Sequence, residues 1–393
     1  MTLETENDWS LKRRLILRDA LTFLSLALIT AVLVAVTLFL FRSFATHRQE
    51  LAQRWAARGQ EAIASGHPDH AIVALRAALS HAPGQRSYEL LLAQALADAG
   101  HTEEAYNYFL GLWETQPGNG LINLRLARLT AKKNDMQAAI NYYRAAIYGT
   151  WEGDAPVRRR DLRLELSRYL IAHHDLSSAR TELLVAGGNA PDDLGLALTL
   201  APLLEQAGAP HDALNYYQKV LAREPNNLQA LQAAGRLEYE FGNFEEAHRL
   251  LERANHEHDT AAPSQALPPD LQAMLDNAKQ ILSIALLKKL PAKERVSRIL
   301  RARDVAKKRF DSCNNHVSAA SESPSPLQNL AARWMSKEAT INRDALLNDT
   351  EEHDTVMKLV YDTETQTSQI CGPPSGDDAL LLMLAKSPKA VEP

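Results

Sequence analysis

A short motif that returns at a nearly constant interval is the feature that most constrains how this chain can fold. Stretches such as "GHTEEAYNYF" at residues 100–109 and "GNFEEAHRLL" at residues 242–251 carry an alanine at the same place. The six alanines of this series are 34, 34, 40, 34 and 34 residues apart: Ala71, Ala105, Ala139, Ala179, Ala213 and Ala247. A fixed period of this length indicates stacked copies of one supersecondary unit.

Other residue types repeat in phase with these marker alanines. A small residue stands twelve positions earlier in every copy: Gly59, Ala93, Ala127, Ser167, Ala201 and Gly235. A large residue stands four positions later: Leu75, Phe109, Tyr143, Leu183, Tyr217 and Leu251. Five positions before the marker, residues suited to end a helix with a left-handed backbone are Gly66, Gly100, Asn134, Gly208 and Gly242, whereas His174 fits less well. Twelve positions after it come the helix-stopping Pro83, Pro117, Pro191 and Pro225, replaced by Trp151 and Asp259 in the third and sixth copies.

The interval and these positions resemble the tetratricopeptide repeat family. The resemblance covers six repeats within residues 52–255, at about 52–85, 86–119, 120–153, 160–193, 194–227 and 228–255. It implies a right-handed superhelix of α-hairpins, whose small residues allow the helices to cross closely. Abundant Ala and Leu with few strand formers agree with an all-α fold. Six extra residues lie around residues 151–160, "WEGDAPVRRR", and we interpret them as either a partner-contact loop or a widened turn.

In this family the first helices of the repeats line a concave groove that binds a partner. The resemblance places these residues in the groove: Leu124, Arg128, Lys132, Leu164, Arg168, Arg236 and Tyr239. We expect a basic centre in which Arg128, Lys132 and Arg168 meet a carboxylate of a protein or peptide partner. The alternative is an ordinary charged face that is only solvated.

The N-terminus predicts a membrane anchor. After a basic tail at residues 1–19, residues 20–41 contain no charged side chain, and 22 residues are enough to cross a bilayer as a helix. A cleaved signal peptide is the competing interpretation, but its apolar region is usually shorter. Basic residues are equally numerous on both sides of the span, and the tighter N-terminal group favours a soluble part outside the cytoplasm. We therefore expect a single-pass protein of the bacterial inner-membrane type, with a periplasmic soluble domain.

Two further helical regions are expected after the repeats. Residues 270–311 predict two helices that break at Pro291, forming a helical cap or a degenerate seventh repeat. The second is strongly basic, and three interpretations stay open: contact with lipid or nucleic acid, pairing with acidic residues 351–364, or a soluble face around an apolar stripe. Residues 314–326 resemble a linker, and residues 327–393 predict short helices of unknown role. Cys313 and Cys371 form either one disulfide or two free thiols.

No motif of a nucleotide-binding, hydrolase or metalloprotease site occurs in the sequence. The histidine pairs lie in predicted turns and connectors, so we expect neither a metal nor a cofactor. A formal net charge of −5 gives no reason to expect nucleic acid as a partner. The sequence predicts a membrane-anchored scaffold that binds a protein and is not an enzyme. The alternative is a structural subunit of an envelope, secretion or pilus assembly complex, and an enzyme with an unrecognised C-terminal activity is the least favoured interpretation.

Overall fold

The computed structural model describes residues 5–190, 192–261, 267–286, 290–320 and 327–387. Within these ranges the chain is helical, and its only β-type pairing is an isolated bridge between Asn119 and Thr150. The all-α expectation is confirmed. The helix stop predicted at Pro191 lies outside the described residues, as do residues 321–326 of the expected linker and residues 388–393 of the C-terminal region. The chain forms two compact units, Met1–Leu166 and Ser167–Pro393, which we describe separately.

Helix α1, Thr5–Ala64, contains both the predicted membrane span and the first helix of the first repeat. We expected two segments, at residues 20–41 and from residue 52, but the helix is continuous. No glycine or proline lies between residues 42 and 51, so nothing in the sequence stops helix propagation there. The apolar part of α1 has a mean hydropathy of 2.7 and no buried residue, so none of the described segments covers it.

The first unit continues as helical hairpins that match the predicted repeats. Its further helices are α2 Pro68–His81, α3 Arg86–Asp98, α4 Thr102–Thr115, α5 Gly120–Lys132 and α6 Met136–Tyr148, and α7 Ala155–Ala172 begins in this unit and ends in the second. Its largest fully buried side chain is Phe109, which packs in a core of leucines and alanines from α2, α3, α4 and α5. The marker alanines Ala71, Ala105 and Ala139 are completely buried, as are Ala93 and Ala127 twelve positions earlier in their repeats. The small residues therefore lie where the helices cross.

The second unit holds the later repeats. They comprise α8 Leu176–Gly188, α9 Leu194–Gln206, α10 Pro210–Arg223, α11 Leu228–Glu240 and α12 Phe244–Ala261. Ser167, Ala179, Ala201, Ala213 and Ala247 have no exposed surface. A Cβ added to Gly235 would lie 2.8 Å from the Leu251 side chain, just as one at Gly59 in the first unit would lie 2.6 Å from Leu75. The large residues of the first and sixth repeats, Leu75 and Leu251, thus press against backbone where only glycine fits.

All six turns between the two helices of a repeat have the same backbone conformation. The residue five positions before each marker alanine has a positive φ of 59–85°, and this includes His174 at 62° as well as Asn134 at 59°. The next residue donates its N–H to the carbonyl five positions earlier, as His101 does to Leu96 at 2.9 Å and Asp175 does to Leu170 at 2.9 Å. This pattern is a Schellman end. The poor fit of His174 therefore did not change the turn, and this histidine holds a conformation that glycine adopts with less strain.

The six-residue insertion mostly lengthens a helix, but it also widens the turn, since six residues separate α6 from α7 whereas four separate α2 from α3 and α4 from α5. The partner-contact interpretation stays a prediction. Helix α7 has 18 residues, whereas α3 and α5 have 13 each, and Arg158, Arg159 and Arg160 lie in its first turns. The chain leaves α6 at Gly149 because the Trp151 indole N–H donates to the Ala146 carbonyl at 2.8 Å. Trp151 thereby ends the helix where the other repeats use proline.

The sixth repeat lacks the helix-stopping proline, and its second helix runs further than expected. Helix α12 has 18 residues and continues through residue 255, the predicted end of the repeats, to Ala261. Asp259 occupies the proline position and keeps the backbone N–H that helix propagation needs. The last repeat therefore extends six residues beyond its predicted end at residue 255.

The segments beyond the repeats form one module with a shared core. Its helices are α13 Pro269–Ile284, α14 Ala292–Ala320, α15 Gln328–Trp334, α16 Lys337–Thr340, α17 Arg343–Asn348, α18 Glu351–Cys371 and α19 Asp377–Lys386. Residues 270–311 and 327–387 contribute to the same buried cluster, so they are not two separate regions. Phe244 of α12 belongs to this cluster, which means that the module covers the apolar end of the last repeat. The predicted linker is partly wrong, because α14 continues through residue 314 to Ala320.

The basic helix α14 uses its arginines inside this module. Arg298 donates to the carbonyls of Leu282 and Ala285 at 2.7 and 2.9 Å and thereby caps the end of α13. Arg303 donates to the Ile341 carbonyl at 2.7 Å and Arg309 to the Gly372 carbonyl at 2.6 Å. The apolar stripe of the same helix is buried, with Val296 and Ile299 fully covered. The positive charge of α14 therefore holds the ends of neighbouring segments together. Lys288 and Lys289, which precede α14, lie outside the described residues.

Cys313 and Cys371 are bonded to each other. Cys313 lies on α14 and Cys371 is the last residue of α18, and their Cα atoms are 5.8 Å apart. The bond closes a segment with a sequence separation of 58 and joins the two longest helices of the module. No free cysteine remains in the chain.

Candidate functional site: the first-helix face

The predicted partner-binding residues lie on the first helices of the repeats, and we call this surface the first-helix face of each unit. In the first unit it comprises the exposed or half-buried Gln60, Gln94, Asp98, Arg128 and Lys132, carried by α1, α3 and α5. In the second unit it comprises Arg168, Gln229 and Arg236, carried by α7 and α11. Helices α5 and α11 start at these places because Asn119 and Asn227 cap them, each accepting backbone N–H bonds from the first turn.

Arg128 is exposed but already bound to an acidic residue of its own chain. Its Nε and Nη2 atoms donate to the two carboxylate oxygens of Glu165, each at 2.7 Å. The Tyr143 hydroxyl also donates to Glu165, at 2.8 Å. Hydrogen bonding to Glu165 raises the pKa of Arg128, so the guanidinium stays charged. The charge of Arg128 is therefore balanced within the first unit and is not free to attract a partner carboxylate.

Arg125, one turn before Arg128 on α5, is half-buried. Burial lowers the pKa of its guanidinium, against an opposing effect of Asp98. An arginine remains protonated at neutral pH even with a lowered pKa, so Arg125 stays positively charged.

Arg236 has the same arrangement in the second unit. Its Nη2 atom pairs with Glu205 and its Nη1 atom with Glu240 at 2.7 Å, while the Tyr217 hydroxyl donates to Glu205 at 3.0 Å. Burial and the charge of Glu205 both raise the pKa of the Tyr217 hydroxyl, so it remains a neutral donor. In each unit, then, a carboxylate accepts from one arginine and one tyrosine.

These two acceptor carboxylates were not predicted. Both lie on first helices: Glu205 stands 34 residues before the predicted groove residue Tyr239 and so at the same groove position, whereas Glu165 is one residue beyond the groove position of Leu164. A signal was available in the sequence, because the large-residue position is tyrosine in two repeats, Tyr143 and Tyr217, and leucine or phenylalanine in the others. A buried tyrosine hydroxyl needs a hydrogen-bond partner, and a nearby glutamate supplies one.

Three predicted groove residues have other roles. Leu124 and Leu164 are each only 8% exposed and cannot offer an apolar surface to a partner. Helix α5 packs against both α4 and α6, so an apolar side chain on either flank is covered by a neighbouring helix. Tyr239 is half-buried against the C-terminal module, with its ring edge-on to Phe244 at 5.4 Å between centroids. The prediction of leucines between the basic groove residues is therefore wrong.

Lys132 and Arg168 are the two predicted cations that remain available. Both are exposed, and within the described ranges neither forms an ion pair. Lys132 lies at the end of α5 in the first unit, where a cation also interacts favourably with the helix dipole. Arg168 lies on the part of α7 that belongs to the second unit. The basic character of the expected site is thus reduced to one free cation on each unit.

The described residues contain no group of three or more His, Cys, Asp or Glu side chains arranged to hold a metal ion. The rings of His67 and His70 stack with their centroids 5.7 Å apart, and the His173 ring lies tilted against Tyr169 with the centroids 4.4 Å apart. The first-helix face offers hydrogen-bonding and charged side chains at a repeated spacing. Such an arrangement can recognise an extended surface of another macromolecule.

The geometry defines an α-hairpin solenoid, with repeats of two antiparallel helices, a Schellman turn and buried small residues at the helix crossing. Comparison with known proteins agrees with this class. The family profile described as "Tetratricopeptide repeat" matches residues 204–267, which span the fifth and sixth repeats. The chain carries tetratricopeptide repeats in this segment.

Other similarities are more distant. Cellulose synthase 1 operon protein C of Komagataeibacter xylinus is 26% identical over 232 residues, and the match covers 54% of this chain and 16% of that protein. The chain thus spans about one-sixth of the length of this curated relative. PilF of Pseudomonas aeruginosa has 16% identity, covers 59% of this chain and 98% of its own, and has a TM-score of 0.37. MamA of Desulfovibrio magneticus has 16% identity, covers 45% of this chain and 96% of its own, and has a TM-score of 0.36.

Proposed function

We propose that this protein is a membrane-anchored scaffold that binds a protein partner on its first-helix face and catalyses no reaction. The observation that carries the proposal is the continuity of α1, which contains an uncovered apolar span and the first helix of the first repeat. Since no flexible segment separates anchor and repeat, the protein would present its binding surface at a fixed position above a bilayer. Preorganised repeats reduce the entropy that the receptor loses on binding.

We place the soluble part outside the cytoplasm, in the periplasm of a bacterial cell. The disulfide between Cys313 and Cys371 supports this side, because structural disulfides persist in oxidising compartments. The test is protease accessibility in spheroplasts compared with intact cells. Digestion of the soluble part in spheroplasts alone supports the proposal, and protection in spheroplasts until detergent is added would contradict it.

The partner would carry acidic or hydrogen-bonding groups that meet Lys132 and Arg168. In the test, a partner is first isolated with the full-length wild type, and its affinity for a Lys132→Glu/Arg168→Glu variant is then measured. The matched control is Arg144→Glu/Lys219→Glu, which makes the same charge change on exposed second-helix positions, again one in each unit. Affinity should fall about tenfold or more in the first variant and stay near wild type in the control. Equal loss in both variants would refute binding on the first-helix face.

The second candidate is a structural role in an envelope, secretion or pilus assembly, with contacts through the second helices. Helix α8 favours it, because Leu184 and Val185 are 37% and 40% exposed on a helix that carries few charges. A Leu184→Ser/Val185→Ser variant would then lose a membrane complex on native gels, while Lys132→Glu/Arg168→Glu would retain it. The reverse result supports the first candidate.

A further inference from the structure

We infer that the end of the first hairpin nearest the anchor is a binding surface for anionic phospholipid headgroups. We define this headgroup surface as Arg42, His47 and Arg48 of α1 together with His81 and Arg86 at the turn between α2 and α3. The inference rests on the proposed membrane anchoring and goes beyond it, because an anchor alone does not require the repeat to touch the bilayer.

The first repeat begins to pack very close to the span. The Arg48 Nη2 atom donates to the His81 carbonyl at 2.9 Å, which ties the last turn of α2 to α1. Arg48 is only seven residues beyond Phe41, the last residue of the uncharged segment. At 1.5 Å per residue, the end of α2 therefore lies about 10 Å from the end of the apolar segment.

This height places the α2–α3 turn beside the headgroups. The hydrocarbon core of a bilayer is about 30 Å thick and the whole bilayer 40–45 Å, so the headgroup layer extends roughly 5–8 Å on each side. Long arginine side chains reach across the remaining few ångströms. The opposite end of the hairpin is far away, since Ser65 lies 24 residues or about 36 Å beyond Phe41.

The charges at this end of the hairpin are predominantly positive. Arg42 and Arg86 are exposed, and over the described part of the chain neither forms an ion pair. The acidic residues nearby are Glu50 and Glu89, and Glu50 already lies 4.0 Å from Arg54. Helix α3 also starts at this end of the hairpin, and Gln85 provides no side-chain cap for its positive N-terminal end. Both features favour phosphate groups of lipid.

An anionic bilayer is the occupant that these observations favour over a soluble acidic protein. The surface is continuous with the span, so lipid is present at high local concentration whenever the protein is anchored. Each basic side chain close to a membrane surface raises the equilibrium constant for contact with anionic lipid by roughly a factor of five. Removing both Arg42 and Arg86 should therefore lower the ratio of docked to undocked protein by more than tenfold.

The experiment uses full-length protein in vesicles of phosphatidylcholine, with or without about 30% phosphatidylglycerol as the anionic lipid. A fluorophore is attached at Ser87→Cys beside the headgroup surface or at Ser65→Cys at the far end, both exposed serines. Cys313 and Cys371 are bonded and do not react. A quencher on the lipid headgroup then reports contact. We expect strong quenching at position 87, weak quenching at position 65, and a larger effect with the anionic lipid.

The charge variants separate lipid contact from mere proximity. Arg42→Gln/Arg86→Gln should abolish the effect of phosphatidylglycerol at position 87. Arg58→Gln/Arg144→Gln removes the same charge from exposed positions outside the headgroup surface, with Arg58 about 26 Å beyond Phe41, and should preserve the effect. Equal quenching at positions 65 and 87, or equal behaviour of the two variants, would overturn the inference.

Flotation of the same vesicles shows whether a negative result refutes the headgroup contact alone or the membrane anchor as well. If the protein floats with the vesicles but position 87 is not quenched, the anchor stands and the headgroup contact is refuted. If the protein does not float, the anchor is refuted, and the headgroup contact with it.

Discussion

Gly120 provides a sharp test of how the third repeat ends, because its neighbour is a rigid ring. A Cβ built on Gly120 would lie 2.2 Å from Cε2, 2.4 Å from Nε1 and 2.7 Å from Cζ2 of Trp151. The ring cannot move freely, since its N–H donates to the Ala146 carbonyl at 2.8 Å. Gly120→Ala must therefore displace the ring or shift the backbone that pairs Gly120 with Thr150.

The expected loss of stability follows from two opposing effects. Overpacking of this kind costs about 1–3 kcal/mol, with about 1 kcal/mol more if the indole hydrogen bond breaks. Replacing a glycine in a helix by alanine returns about 0.5–1 kcal/mol, since alanine loses less backbone entropy on folding. We therefore expect Gly120→Ala to destabilise this part of the first unit by roughly 1–2 kcal/mol.

Native-state hydrogen exchange is the suitable assay, because a chain with two compact units need not unfold in one step. The amides to follow are Gly120 and Thr150, whose N–H groups donate across the bridge at 2.9 and 2.8 Å. Their protection should fall about 5- to 30-fold, since 1.4 kcal/mol is a factor of ten. Helix α4 supplies the control, because a Cβ on Gly111 meets nothing within 4 Å and Gly111→Ala should stabilise its helix. Unchanged protection in Gly120→Ala, or equal loss in Gly111→Ala, would refute the role of Trp151.

Four further predictions follow from the structure. His174→Gly should raise the thermal midpoint, by relieving about 1 kcal/mol of left-handed strain at φ 62°, whereas Gly100→Ala at φ 85° should lower it. Cys313→Ser should destabilise the C-terminal module by about 2–4 kcal/mol in urea titrations, and a reductant should lower wild-type stability to that level without affecting the variant. Glu165→Gln and Arg128→Gln should have non-additive effects on the free energy of unfolding, because once one partner is removed, removing the other has little further effect. The coupling free energy of the double-mutant cycle should be about 0.5–1 kcal/mol, since the pair is half-exposed, and additive effects would contradict the pairing. Burial and Asp378 raise the pKa of Glu364 from 4.5 to about 8, so the folded state keeps a proton that the unfolded state releases. The free energy of unfolding should therefore fall as the pH rises from about 4.5 to 8. Glu364→Gln should flatten this pH dependence in urea titrations and stabilise the module near pH 8.

The parts of the fold that depend on local chemistry were predictable from the sequence. Glycines five positions before four of the six marker alanines predicted left-handed turns, and the tertiary packing of the repeat imposed the same turn on His174. The 22 uncharged residues predicted the apolar span. The continuity of α1 depends instead on residues 42–51 containing no glycine or proline, which no motif marks. The length of α12 has the same kind of cause, because Asp259 stands where proline would have stopped the helix.

The candidate site was less predictable, because pairing between repeats decides which charges are free. Family positions correctly placed Arg128 and Arg236 on first helices, yet each is balanced by a glutamate far away in sequence, Glu165 and Glu205. Leu124 is buried because its helix is flanked on both sides, which a pattern within one repeat does not reveal. The C-terminal module has a single core that joins segments which look separate in sequence.

The central claim, that an anchored repeat protein binds its partner through first helices, is tested most directly by photocrosslinking in living cells. A photoreactive residue is placed at position 132 or 168 on the first-helix face, or at position 144 or 219 on second helices, all four exposed. The account predicts one discrete protein adduct from positions 132 and 168, in the membrane fraction, and none from positions 144 and 219. An adduct formed only from positions 144 and 219, or equally from all four, would contradict it.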